Sequence, residues 1–110
     1  MMHVNKLTRL LLGLGCLLLT SDAAAVARTL SDQAGRTVSV PENPVRVISL
    51  APNITEIIYA IGCGDRLKGA VSHSDYPEAA KALPRVGDYI RQDMEKIDSL
   101  EPDLCIAIKD

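Results

Sequence analysis

Residues 45–62 read VRVISLAPNITEIIYAIG, and this stretch decides the fold. Arg46, Val47, Ile48, Ser49 and Leu50 form a short β-branched run between Pro44 and Pro52. That pattern suits a strand buried on both faces of a parallel sheet. Asn53 followed by Glu56 predicts a capping box, and so a helix start. Ile54, Ile57, Ile58 and Ile61 recur at i, i+3, i+4 and i+7, an apolar stripe for packing on a sheet. Gly62 is the expected stop. In open α/β sheets ligands lie beyond the carboxyl ends of strands. Pro52 and Asn53 are therefore the first candidate ligand-binding residues.

Working outward, residues 1–27 have the composition of an export signal. Lys6 and Arg9 precede an apolar run at residues 10–19, and Ala25-Val26-Ala27 offers a small-x-small cleavage site. The run is about half the roughly 20 residues of a spanning helix. An extracytoplasmic, periplasmic location is expected. Cys16 lies within the run but lacks the leucine three positions before it that marks lipid attachment. Without residues 1–27 the chain loses Lys6, Arg9 and Asp22 and carries a formal charge of −3. No basic patch argues for nucleic acid.

Residues 28–32 and 36–40 flank Gln33-Ala34-Gly35 and predict a small β-hairpin. After the helix, residues 67–71 predict a second core strand. Ser72-His73-Ser74-Asp75-Tyr76-Pro77 is the loop at its end. Asp75 and Glu78 suggest another capping box. A brief strand is expected at residues 85–86 before a third loop that carries Tyr89. Asp93 should cap a helix over residues 94–100, with Met94, Ile97 and Leu100 inward, and residues 104–108 should form the next strand. The order predicts an α/β domain with a mostly parallel sheet flanked by helices, preceded by the hairpin. The chain stops two residues past a strand expected to be buried, so residues 28–110 are expected to be an incomplete lobe.

The residues bear on several chemistries. Gly62-x-Gly64 follows a helix rather than opening one, which argues against a dinucleotide loop. Ser49 and Ser72 do not sit in Gly-x-Ser-x-Gly. His73 and Asp75 could be a base and its orienter in an exported α/β enzyme, but a metal site needs three or four ligands. No catalytic residue, metal or cofactor is assigned. Cys63 and Cys105 could pair after export, although Cys105 in an apolar strand reads first as a buried thiol. Tyr59 suits packing, Tyr76 its own loop, and Tyr89 a flat surface for a ligand.

Three segments together carry a resemblance. RVISLAPNITE at residues 46–56, SHSDYP at 72–77, and MEKI through LEPDL at 94–104 resemble, in order, the periplasmic binding proteins of ABC importers for vitamin B12, ferric siderophores and haem. The resemblance implies a Rossmann-like first lobe of a two-lobe protein joined by one long helix. It also implies a non-enzymatic monomer that captures a small metal chelate for permease subunits. Within the family the vitamin B12 subgroup is nearest, so a corrinoid is the expected ligand, with a ferric siderophore or haem as alternatives. Ligand contact is expected at Pro52, Asn53, His73, Tyr76 and Tyr89. His73 and Tyr89 stand where that subgroup has a Tyr and a stacking Trp. The resemblance implies permease docking at Glu95. A nonfunctional fragment is the remaining alternative.

Overall fold

A computed structural model describes residues 26–109. Apart from Val26 and Ala27, the expected export signal lies outside the described residues. The core is a parallel sheet centred on β3 (Val47–Ser49), whose three residues are all buried. β3 pairs in parallel with β4 (Leu67–Ala70) on one side and β5 (Leu104–Ile106) on the other. Beyond β4, a parallel bridge joins Ala70 to Arg85, so the brief strand at residues 85–86 forms the outer rung. The spatial order, outer rung–β4–β3–β5, is the doubly wound arrangement, with carboxyl ends on one edge. An antiparallel hairpin, β1 (Ala27–Ser31) and β2 (Thr37–Pro41), forms a separate two-stranded sheet.

Helix α1 (Pro52–Ala60) links β3 to β4. It starts two residues earlier than the capping box predicts. Ala51 is the cap, Pro52 opens the first turn, and no side chain caps the end. Proline fits there because its missing N–H is an orphan donor anyway and its fixed φ suits the helix. Asn53 is thus inside the helix and exposed. The helix ends in a Schellman motif, with the Gly62 amide donating to Tyr59 O and the Cys63 amide to Ile58 O.

The buried stripe of α1 is also rotated from the expected one. Ala51, Ile54, Thr55 and Ile58 face the sheet, whereas Ile57 and Ile61 are exposed. Both sets have the i, i+3, i+4, i+7 spacing, so periodicity alone allows either. Val47, Ala51, Ile54, Ile58 and Leu67 form one core cluster. Ile48, Val71, Val86 and Ile97 form the other.

Helix α2 (Met94–Ser99) carries Ile97 into that second cluster. Its cap is the expected one, with Asp93 Oδ1 accepting from the Lys96 amide at 3.0 Å. Leu100 is half-buried against the cluster, but Met94 is exposed. Met94 sits at the first helical position, nearly a turn ahead of Ile97, the residue that reaches the core. Cys105 is exposed rather than buried, and both Cys63 and Cys105 are free thiols. The first and third residues of β5 are half-buried, and Cys105 points out from the other face.

The start of β3 and the end of α2 clasp each other. Asp103 accepts from the amides of Val45 and Arg46, both at 2.9 Å. In return Arg46 Nε donates to the carbonyls of Leu100 and Glu101 at 3.1 Å, satisfying orphan groups at the helix end. Desolvation pushes the Asp103 carboxyl up, but the two amides and the Arg46 charge outweigh it and hold it below the ordinary value. A depressed native value means stability present above the unfolded pKa, near pH 4, and lost as pH falls through the native one. We expect Asp103→Ala to cost about 1 kcal/mol at pH 7, toward the low end for a half-buried charged acceptor. The difference from the unsubstituted chain should shrink toward pH 3. Urea unfolding midpoints at both pH values check this, and a gap that widens in acid would contradict it.

Candidate functional site

Three loops leave the carboxyl edge of the sheet side by side. The first is Leu50-Ala51 leading into Pro52, the second follows β4, and the third follows the rung at residues 85–86. Together they line an open depression of about 480 Å³, formed by Pro52, Ser72, His73, Asp88, Tyr89, Ile90 and Arg91. It joins three of the candidate residues, Pro52, His73 and Tyr89. Asn53, Tyr76 and Glu95 are exposed and do not line it.

The second loop is tied on both sides of His73. The Ser72 amide and hydroxyl both donate to Gly87 O, at 2.8 and 3.1 Å. The Ser74 amide donates to Val71 O at 3.3 Å. His73 between them has φ 68°, the left-handed region that few side chains adopt, with histidine among the more tolerant. Asp75 does not cap the following turn. Pro77 caps that 3-10 helix (Glu78–Ala82) without a side-chain bond. Asp75 instead pairs with Arg85, Nη2 to Oδ1 at 3.2 Å, and the same nitrogen donates to Ser74 O at 3.0 Å. The Tyr76–Pro77 bond is cis.

The third loop closes on itself. Asp88 Oδ1 accepts from the amides of Ile90 at 2.8 Å and Arg91 at 2.6 Å, and the Asp88 amide donates to Arg91 O at 3.0 Å. Gln92 Nε2 donates to Tyr89 O at 2.6 Å. The Arg91 and Ile90 amides, helped by the charges of Arg91 and His73, hold the Asp88 carboxyl below its ordinary value. Tyr89 is half-buried, packed against the first core cluster while lining the depression. Ile90 is 88% exposed, an apolar side chain at the rim.

This arrangement offers two rings, an aliphatic rim, one carboxylate and one guanidinium. Such a surface can stack on and hydrogen-bond a sizeable organic ligand. Among the described residues no three His, Cys, Asp or Glu side chains converge to hold a metal ion. Ser72, Asp88, Ile90 and Arg91 join the depression without having been expected there. The signal for the last three was present in Gly87-Asp88 ahead of two residues and an arginine, an Asx-type turn.

Helix α2 leaves the same edge, because it starts just after the third loop and its cap residue's amide donates to Val86 O at 2.8 Å. Glu95, in the first turn of α2, is exposed there.

No family model matches the chain. It is 55% identical over 71 residues to a vitamin B12-binding protein of Vibrio vulnificus, covering 64% of this chain and 26% of that one. It is 38% identical over 79 residues to an uncharacterized ABC transporter substrate-binding lipoprotein, YvrC, of Bacillus subtilis, covering 72% and 25%. Among solved structures, the periplasmic vitamin B12 binding protein BtuF of Vibrio cholerae matches with a TM-score of 0.56 at 50% identity, over 58% of this chain and 25% of that one. The chain spans about a quarter of the length of the curated relatives it matches.

Proposed function

We propose, for a chain that over its matched stretch belongs to the periplasmic binding protein family, that it is an extracytoplasmic substrate-binding component of an ABC importer with a corrinoid as its ligand. One observation of geometry carries this reading. Pro52, His73 and Tyr89, from three strand-end loops, line a single depression. The named relatives are binding proteins. His73 and Tyr89 would meet the flat macrocycle by stacking and Pro52 would close one side. Tyr76 and Asn53 would contact a ligand that extends beyond the depression. Residues 1–27 would direct export, and residues 28–110 would act as one lobe.

Glu95 is proposed as a docking residue for the permease. It is exposed in the first turn of α2, at the edge that carries the depression. A single exposed carboxylate contributes little affinity, about 0–1 kcal/mol. Glu95→Lys should therefore weaken capture by permease-containing vesicles while leaving ligand affinity within about twofold. Equal loss of both would remove Glu95 from a docking role.

The ligand is tested by titrating the full chain with cobalamin, haemin and a ferric hydroxamate siderophore, followed by tyrosine fluorescence and calorimetry. Saturable binding of cobalamin alone supports the corrinoid reading. Binding of haemin or the siderophore without cobalamin replaces it with the alternative ligand. No binding of any of the three by folded chain removes the claim that this lobe binds a ligand on its own.

A further inference from the structure

Ser49, Thr55 and Ser74 are the buried polar residues of the described chain, each at most 1% exposed. They come from β3, helix α1 and the second loop, and their hydroxyls form one chain. Ser49 Oγ donates to Ala51 O at 2.9 Å. Thr55 Oγ1 lies 2.8 Å from Ser49 Oγ and 3.1 Å from Ser74 Oγ. Thr55 Oγ1 also lies 3.4 Å from Ala51 O, the longest of the four contacts, which leaves three shorter bonds for three hydroxyl protons. Passing them from Ser74 to Thr55, from Thr55 to Ser49, and from Ser49 to the Ala51 carbonyl satisfies every donor once.

The chain ends beside the depression. Ser74 is the neighbour of His73, whose φ of 68° needs support from its surroundings. Ser72, the other neighbour, is tied to Gly87 O. A helix position facing a sheet usually carries an aliphatic residue, and valine would fill the volume of threonine. The hydroxyl at position 55 therefore does something packing does not require. We infer that Thr55 is a positioning residue for His73, holding Ser74 so that the imidazole stays in the depression beside Asp88. The inference rests on the preceding proposal only in treating the depression as ligand-facing.

The test compares Thr55→Val, which removes the hydroxyl, with Thr55→Ser, which removes only the methyl. Nuclear magnetic resonance of the full chain follows the His73 amide and ring signals, assigned with His73→Ala. It also follows amide exchange at Ser72 and Ser74 against core amides of Ile48 and Ile58. Thr55→Val should move the His73 signals and speed exchange at Ser72 and Ser74 about tenfold while core amides keep their rates. Thr55→Ser should restore unsubstituted behaviour. Ser74→Ala, which leaves the Ser49–Thr55 bond in place, should reproduce the local effect if Thr55→Val does not fold. The idea fails if loop and core amides accelerate together, if His73 does not move, or if Thr55→Ser behaves like Thr55→Val. The measurement uses no ligand, so absence of cobalamin binding would remove the corrinoid reading and leave the positioning role of Thr55 standing.

Discussion

Gly87→Ala is expected to lower stability by about 3 kcal/mol and to open the loop that carries Tyr89. Gly87 has φ 94°, where a Cβ costs roughly 1–2 kcal/mol. The added carbon would also press against Arg91 O and lie 2.7 Å from the Asp93 nitrogen. Both are backbone atoms held in place, Arg91 O by the Asp88 amide at 3.0 Å and the Asp93 amide by Val86 O at 2.8 Å. Relieving the clash breaks one or both bonds, at about 1 kcal/mol each. Gly35→Ala is the control. Gly35 has φ 79° but nothing within 4 Å of the new carbon, so only the backbone cost of about 1 kcal/mol remains. For a domain this small, about 3 kcal/mol is a large fraction of total stability. Urea unfolding with linear extrapolation gives both values. Equal losses in the two variants would show that the crowding at Gly87 relaxes freely.

The contrast between those glycines shows where the sequence was legible. Gly35 and Gly87 look alike in the chain, each beside turn-forming residues. Only the return of residues 91–93 onto Gly87 separates them, and that is a tertiary event. The same limit governs helix α1. Its existence followed from isoleucine spacing and its end from Gly62. Its rotation did not, because residues 54/57/58/61 and 51/54/55/58 share one periodicity. The second set is the buried one, packed on Val47 and Leu67, and Thr55 within it meets Ser49 and Ser74, partners 6 and 19 residues away that no local pattern announces. Proline at position 52 likewise displaced the expected Asn53 cap, since its fixed φ already suits the first turn.

The parallel direction of β3, β4 and β5 was legible because short apolar runs alternate with helical segments. That shared direction also placed the candidate site, since it puts every strand's carboxyl end on one edge. Pro52, His73 and Tyr89 were legible as residues on those ends. Arg91 and Asp88 were not, because charged residues in a loop read as solvated surface until the loop closes through backbone amides on the Asp88 carboxylate. Arg46 and Asp103 escaped for a related reason. Their clasp spans 54–58 positions of chain, with no local pattern to announce it.

Tyr89→Ala is expected to weaken cobalamin binding about 30-fold, whereas Tyr89→Phe should stay within about threefold. The ring is half-buried against the core, so only its outer part remains to meet a ligand. Covering roughly 60–80 Å² of that ring at about 25 cal/mol per Å² is worth roughly 2 kcal/mol. At about 1.4 kcal/mol per tenfold change, that is about 30-fold. Phenylalanine keeps the face and loses only the hydroxyl. The alanine variant also gives up core contact, so its unfolding free energy must be measured beside its affinity. Binding should be recorded where more than nine-tenths of each variant is folded. Under that condition, an alanine variant within threefold of the unsubstituted chain would take Tyr89 out of the ligand surface and reduce it to packing. A phenylalanine variant as weak as alanine would instead place the contact at the phenolic oxygen. The depression would then bind by a directed hydrogen bond rather than by stacking, and a flat macrocycle would lose its advantage over a chelate rich in oxygen donors and acceptors.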